Sequence, residues 1–457
     1  MLRMAAQTTD LRLSEVVSAL SYALDVTDGH DLGHAVRSCV IGMRLADAVG
    51  LEVQQRSALF YGLLLKDAGC SSNAAKVAAL YHADDHSVKR QVKVINHKKV
   101  TEALRYVWRN VGGTGPRKVL HATTAILKGP RIAKEMTLIR CERGAEIVRM
   151  LDLPEETAEA VRSLDEHWDG RGHPDGLAGE SIPKLARILN VAQVFEVFNS
   201  REGRDVAFAT VKSRAGTWFD PAVVEALATL RDDEELWRTL GGDDVEALVA
   251  TLEPPERMLT ADETRLDRVA EAFALVIDAK SPYTARHSQR VAELSIGAAV
   301  QLGFGENELR DLRRAALLHD IGKLSISNSI LDKEGPLDDD EFAVMKSHPV
   351  FTRSILERIP RLASLAYVAA AHHEKLDGSG YPDGLVADDL PVAARLLVVS
   401  DIFEALTADR PYRAAMTTEA ALALMEREVG SKLCPQAFGA LVATCDDAST
   451  PAVALAA

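Results

Sequence analysis

The chain carries one loop twice. Leu164–Pro174 reads LDEHWDGRGHP and His372–Pro382 reads HHEKLDGSGYP, 208 residues apart. At that displacement Asp169, Gly170, Gly172, Pro174, Asp175, Gly176 and Leu177 fall on Asp377, Gly378, Gly380, Pro382, Asp383, Gly384 and Leu385. Further along, Pro183, Ala186, Arg187, Leu189, Val191, Phe195 and Glu196 fall on Pro391, Ala394, Arg395, Leu397, Val399, Phe403 and Glu404. Upstream the displacement is 253, and His34, Arg37, Gly50, Leu64, Leu65, Asp67 and Gly69 meet His287, Arg290, Gly303, Leu317, Leu318, Asp320 and Gly322. The difference of 45 is extra sequence in the first copy, between about Cys70 and Thr137. An ordered series of matches that ends in one shared loop marks an internal repeat. Two homologous units are therefore the architecture to expect.

Both copies read with helical period. In LDRVAEAFALVIDA (266–279) Leu266, Val269, Phe273, Val276 and Ile277 share one face. HSQRVAELSIGAAVQLGF and ELRDLRRAALLHDIG keep the same spacing and run out at glycine, as helix ends often do. Strand alternation is scarce, so the reading is all-α: two tandem helical bundles. Two prolines in LEPPERMLTADE (252–263) interrupt the pattern. The expected domains are 1–250, a linker at 251–265, and 266–457.

Composition narrows the class. No apolar run reaches the roughly 18–20 residues of a membrane span, and the first twenty residues are broken by Asp10, Arg12 and Glu15. A net charge of −14 argues against a general nucleic-acid binder. Five scattered cysteines without C-x-x-C suggest reduced thiols in a cytoplasmic protein with no membrane partner. The GGD in WRTLGGDDVEALV (237–249) reads as a helix cap rather than a cyclase motif.

The chemistry gathers in the second copy. From Ala261 onward there are five histidines: His287, His319, His348, His372 and His373. Asp320 follows His319, and Asp401 follows the apolar run ARLLVVS, where a solitary carboxylate would be costly to bury unless paired or metal-bound. Any one of these histidines alone would read as a satisfied core or surface residue. Five of them, with two carboxylates interrupting apolar helices, read as a metal site.

These residues resemble a known family. HDIGK (319–323) is similar to the HD phosphohydrolase doublet. HHEKLDGSGYP together with DIFEALTADRPYR (401–413) resembles the HD-GYP subfamily of cyclic di-GMP phosphodiesterases, over about Leu266 to Cys434. The resemblance implies a helical bundle holding two metals, sometimes three, with His287, His319, Asp320, His348, His372, His373 and Asp401 as ligands. Asp320 would bridge the metals, and Lys323 would contact substrate phosphate, so Asp320 and Lys323 are the implied catalytic residues. The loop residues Gly378, Gly380 and Tyr381 are implied at the substrate and at partner proteins. The glycines would let backbone approach a bulky nucleotide. Two divalent metals neutralise an anionic phosphodiester and activate water against it. Imidazole and carboxylate donors suit Fe or Mn, with Zn open.

Three departures stand out. Tyr283 occupies the place of a Glu that serves a third metal, so two metals are expected. Glu404 replaces a second Asp, and Ser327 a Pro. Arg286, Arg290, Arg313 and Arg314 read mostly as a solvated helix face.

The first copy has lost the set. His34 and Asp67 match His287 and Asp320, but Lys66, Arg140, Leu164, Asp165 and Gln193 stand at the places of His319, His348, His372, His373 and Asp401, and Cys70 at that of Lys323. Lys66 and Arg140 would repel metal and could pair with Asp67 and Asp165. HADDH (82–86) has i, i+4 spacing but reads as a solvated face, and KRQVKVINHKK (89–99) is the one basic stretch of the extra sequence.

The leading expectation is a metal-dependent phosphodiesterase that opens cyclic di-GMP to linear pGpG, with onward hydrolysis to GMP left open. The competing readings are a regulatory scaffold that binds nucleotide or a partner diguanylate cyclase with little turnover, and an HD phosphohydrolase acting on another nucleotide. A homodimer is also left open. This division of labour predicts that His34→Ala and Asp67→Ala keep metal content and change turnover only modestly. His287→Ala and Asp320→Ala should eliminate it. Steady-state hydrolysis at equal folded concentration distinguishes the pairs, and an inactive His34→Ala would overturn the division.

Overall fold

The computed structural model describes residues 11–92, 100–242, 249, 251–409 and 413–447. Residues 93–99 of the basic stretch, 243–248 after the two glycines, and 410–412 of the DRPYR segment lie outside them. Among the described residues secondary structure is helical, with only isolated bridges in place of a sheet. The chain divides at Val269–Ala270 into two compact units.

The repeat holds in three dimensions almost to the residue. His34–Ala48 and Val53–Leu65 become His287–Gln301 and Glu306–Leu318 at a displacement of 253. Glu155–Arg162 becomes Ala363–Ala370 at 208, and Lys184–Glu202 starts where Val392–Thr407 does. The helix Glu263–Asp278 buries Leu266, Val269, Phe273, Val276 and Ile277, the face its period marks. The stretch expected as a linker is bonded into the first unit. Leu13 N–H donates to the Leu259 carbonyl at 2.7 Å and Ala261 N–H to that of Leu11 at 2.7 Å. The buried Glu253 accepts from Ser14 Oγ and Tyr61 OH, each at 2.6 Å. Prolines there break the helix without freeing the chain.

The extra sequence of the first copy forms the helices Ala74–Tyr81, Asp85–Val92 and Val100–Asn110, then a 36-residue helix Gly115–Met150. In the second unit the corresponding path is broken at Met345, and a new helix begins at His348 with Pro349 in its first turn. His82 ends one helix and His86 lies in the next, so HADDH does not present an i, i+4 pair; His82 stacks on His121 instead, with ring centroids 3.8 Å apart.

Two glycines make the shared scaffold possible. A Cβ on Gly322 would lie 1.9 Å from the His348 carbonyl oxygen, and one on Gly69 would lie 2.0 Å from that of Arg140. The turn after each Asp thus packs directly on the next helix. A Cβ on Gly380 would lie 2.4 Å from Glu374 Cα, and one on Gly172 would lie 2.1 Å from His167 N. The close approach at Gly380 is to protein backbone, because the loop folds back on the histidine pair.

What closes that loop is a buried carboxylate. Glu374 accepts backbone N–H bonds from Asp383, Gly384 and Leu385 at 2.7, 3.2 and 2.9 Å. Glu166 accepts the same three in the first unit, from Asp175, Gly176 and Leu177 at 2.7, 3.1 and 3.0 Å. This is why the first copy retains the loop: a satisfied buried carboxylate is a structural device that needs no metal. Glu166→Ala would strand three N–H groups and should destabilise the first unit by roughly 3 kcal/mol. All four tryptophans (108, 168, 218, 237) lie in that unit, so their fluorescence during denaturation reads the loss directly.

Candidate active site

Five chain segments of the second unit deliver the seven expected residues to one buried centre. His287 opens the helix His287–Gln301, and His319 and Asp320 end the helix Glu306–Leu318. His348 opens the helix His348–Leu356, and the turn Ala371–His373 carries both His372 and His373. Asp401 lies in the middle of Val392–Thr407. Helix ends dominate, since they can aim a side chain at a point that several helices reach together.

Asp320 sits at the focus. Its Oδ2 lies 3.3 Å from His287 Nε2 and 3.4 Å from His319 Nε2, while its Oδ1 lies 3.4 Å from His348 Nε2 and 3.5 Å from His372 Nε2. Asp401 Oδ1 is 3.5 Å from His287 Nε2 and 3.8 Å from His319 Nε2, and its Oδ2 is 3.8 Å from His373 Nδ1. One carboxylate therefore faces two separate groups of imidazoles, one group per oxygen.

The far side of four of the five rings is held by protein. His319, His348 and His372 place Nδ1 at 2.7, 2.7 and 2.6 Å from the carbonyls of Ala316, Met345 and Ala369, three residues back. His287 Nδ1 is hydrogen-bonded to Glu404. These contacts fix Nδ1 as the protonated nitrogen and aim Nε2 inward. Sequence reading treated Glu404 as a minor departure; its signal was the repeat itself, because Glu196 holds His34 Nδ1 in the same way.

Electrostatics prepare the donors. Burial opposes charge on Asp320, but His319 and Lys323 beside it hold its carboxyl well below the usual range. Asp401 is likewise lowered against burial by His319 and His287. Burial pushes His348 and His372 down, His372 to about 4, and pushes His373 far down with help from His372. Burial also opposes charge on His287, but Asp320 and Glu404 outweigh it and lift the imidazole to about 9. The centre is thus anionic carboxylate surrounded largely by neutral imidazole.

Such a set fits divalent metal. His287 Nε2, His319 Nε2 and Asp320 Oδ1 are buried without a hydrogen-bond partner, an arrangement that protein atoms alone leave costly. Three triads, His287–His319–Asp401, His319–Asp320–His372 and His348–His372–His373, each converge within 4.8 Å.

Beside the centre is a cavity of about 420 Å³. His287, Lys323, His373 and Asp401 face it, with Lys280, Ser281, Tyr283, Thr284, Arg413 and aliphatic side chains around them. Lys323 Nζ donates to Asp320 Oδ2 at 2.5 Å. The expected substrate residues Gly378, Gly380 and Tyr381 are not among the described residues of its lining; Tyr381 packs on His373 at 4.7 Å and on Phe342 at 6.3 Å. Arg313 pairs with Glu271 at 2.7 Å, and Arg286 and Arg290 are exposed. Arg314 is buried, which corrects its reading as a solvated residue. Ser327 caps the short helix Asn328–Leu331, doing by hydrogen bond what a proline does by ring geometry.

The first unit keeps the frame and fills the centre with cations. Lys66 pairs with Asp67, and Arg140 pairs with Asp165, as their charges imply. Cys70 Sγ stands 3.8 Å from Asp67 Oδ1, in the place of Lys323. His30, which matches no ligand, stacks on His34 at 3.8 Å. His30, His34 and Asp67 converge, as do Asp28, Asp67 and Cys70, but with the Lys66 ammonium on the shared carboxylate.

An all-helical unit with a histidine–aspartate centre of this kind defines a phosphohydrolase class, and comparison with known proteins agrees. A sequence model described as "HD domain" matches residues 132–223 and 271–436, thus parts of both copies. The 3′3′-cGAMP-specific phosphodiesterase 3 of Vibrio cholerae is 41% identical over 94% of this chain and 94% of its own. The cyclic di-GMP phosphodiesterase response regulator RpfG of Xanthomonas campestris is 39% identical over 39% of this chain and 48% of its own. A crystal structure of a cyclic GMP-AMP-specific phosphodiesterase of V. cholerae superposes with a TM-score of 0.65 at 36% identity, covering 96% of this chain and 98% of that one. The chain belongs to the HD domain family, as a phosphodiesterase of the HD-GYP type.

The geometry makes a direct prediction about metal. His319→Ala with Asp320→Ala removes the shared carboxylate and one orphaned Nε2, and should strip metal while the helices stay folded. Elemental analysis alongside far-ultraviolet circular dichroism checks it; unchanged metal content would overturn the assignment.

Proposed function

We propose that the second unit hydrolyses one phosphodiester of a 3′3′-linked cyclic dinucleotide, with 3′3′-cyclic GMP-AMP as the favoured substrate. The sequence pointed to cyclic di-GMP. The substrate is refined because the relative that shares nearly the whole chain is named cGAMP-specific, whereas RpfG matches over only part of it. The observation that carries the reaction type is the Asp320 carboxylate, each of whose oxygens faces its own group of imidazoles.

In this reading His287, His319, Asp401 and Asp320 Oδ2 would hold one divalent cation. His348, His372, His373 and Asp320 Oδ1 would hold a second. Fe or Mn suits the donors, with Zn as an alternative. When bound, such ions supply an acidified water and neutralise charge on the phosphate. The chain's own residues do the rest. Lys323 would bind a phosphate oxygen from the cavity, its ammonium oriented by Asp320. Glu404 and the three carbonyls keep the imidazoles from turning. The apolar cavity walls exclude bulk water. Water adds to phosphorus, one P–O ester bond breaks, and the leaving ribose oxygen takes a proton, giving a linear dinucleotide.

The test is turnover of the purified full chain with Mn(II) or Fe(II), following linear product by chromatography. A preference for 3′3′-cyclic GMP-AMP over cyclic di-GMP of roughly tenfold or more in kcat/KM is expected, the scale one purine's hydrogen-bonding difference supplies. Equal or reversed preference would overturn the substrate, and inactivity towards both would overturn the class.

A further inference from the structure

We infer that Tyr283 is the platform on which a purine of the bound dinucleotide stacks, and so a substrate-positioning residue. The inference rests on the cyclic-dinucleotide reading above and deepens it. Three observations carry it. First, apart from the imidazoles of the centre, Tyr283 is the one aromatic side chain among the described lining of the cavity, which also holds Lys323, His287 and Asp401. A substrate whose phosphate lies at Lys323 must put its bases along the remaining walls, and those include Leu406, Met345 and the Tyr283 ring.

Second, the loop that presents Tyr283 is held rigidly while the ring is left available. Thr284 Oγ1 donates to the carbonyls of Asp278 and Ser281 at 3.0 Å each. Ser281 Oγ donates to Asp332 at 2.5 Å and accepts from Tyr283 N–H at 3.2 Å. Asn328 Nδ2 donates to the Lys280 carbonyl at 2.7 Å. Among the described residues the Tyr283 hydroxyl has no protein partner, and the side chain remains 37% exposed. A ring fixed by its backbone with an open face can bind a base at little cost in conformational entropy.

Third, the repeat supplies an internal control. His30 stands at the same position of the first copy. There the ring folds inward, 6% exposed and stacked on His34. The aromatic position thus closes onto the centre in the copy that lacks the ligand set, and stays open in the copy that has it. A phenol in place of a carboxylate also leaves this side of the centre without a third anionic donor.

Stacking is tolerant of base identity and worth roughly tenfold in affinity per base. Tyr283→Ala should raise KM for 3′3′-cyclic GMP-AMP and cyclic di-GMP about tenfold, with kcat within about threefold and metal content unchanged. Tyr283→Phe should restore KM. Tyr283→Trp provides a signal independent of turnover, because none of the four native tryptophans lies in the second unit. The introduced indole should be quenched by either dinucleotide and left unchanged by ribose 5-phosphate. An unaltered KM in Tyr283→Ala, or an indole insensitive to dinucleotide while the wild type turns it over, would overturn the platform alone. A fall in kcat accompanied by metal loss would assign Tyr283 to the structure of the centre and overturn it too. A wild type that neither binds nor cleaves a cyclic dinucleotide would overturn the function from which the platform follows.

Discussion

One buried carboxylate organises the second unit. Asp320 is 1% exposed and lies within 3.5 Å of four imidazole nitrogens and at 2.5 Å from an ammonium. A charge so far from water must be compensated on every side. That requirement explains why helix ends from His287, His319 and His348 converge there, and why Gly322 has no side chain. A Cβ at 322 would push the His348 helix, and with it one of the two imidazole groups, off the shared oxygen.

The first unit solves the same electrostatic problem by other means. Asp67 is as buried as Asp320, yet its neighbours are Lys66 and, close by, Arg140. Fixed cations stand where the second unit offers imidazole nitrogen. The scaffold survives the exchange because the parts that define it are indifferent to metal: the Gly69 contact, the His34–Glu196 pair, and the loop closed by Glu166. Loss of chemistry and retention of fold are thus separable in one chain. The same separation explains how a DG-x-G-x-P loop can stand in both copies while the paired histidines stand before only one of them.

Specificity belongs to a different layer. Most of the candidate ligands lie at helix ends, three of them locked by backbone carbonyls, but the cavity beside them is walled by the 280–284 segment, Arg413 and aliphatic side chains. Arg413 is tied to the carbonyls of Ala405, Leu406 and Ala414 at 2.7, 2.9 and 3.0 Å, so it shapes the wall as much as it charges it. Residues that hold the centre and residues that shape the cavity are therefore largely distinct, and the cavity can change without disturbing the donors.

Much of this was legible in the chain before folding. The repeat, the helical period and the seven donor residues are patterns of residue type and spacing, and helix boundaries in the two copies agree because the same local preferences were written twice. The charge exchange at Lys66 and Arg140 was legible for the same reason, since each pairs with a carboxylate already aligned with the site. What sequence could not supply were the relations that depend on approach in space. Glu404 meets His287 across 117 positions. Glu374 closes its loop through backbone N–H groups that any residue possesses. Gly380 is small because backbone crosses it, and Arg314 is buried although its period resembles that of its exposed neighbours. Residue type and period determine which groups are available and which helices form. Which of those groups share a centre, which only support it, and which face an open cavity are decided by packing between helices distant in the chain.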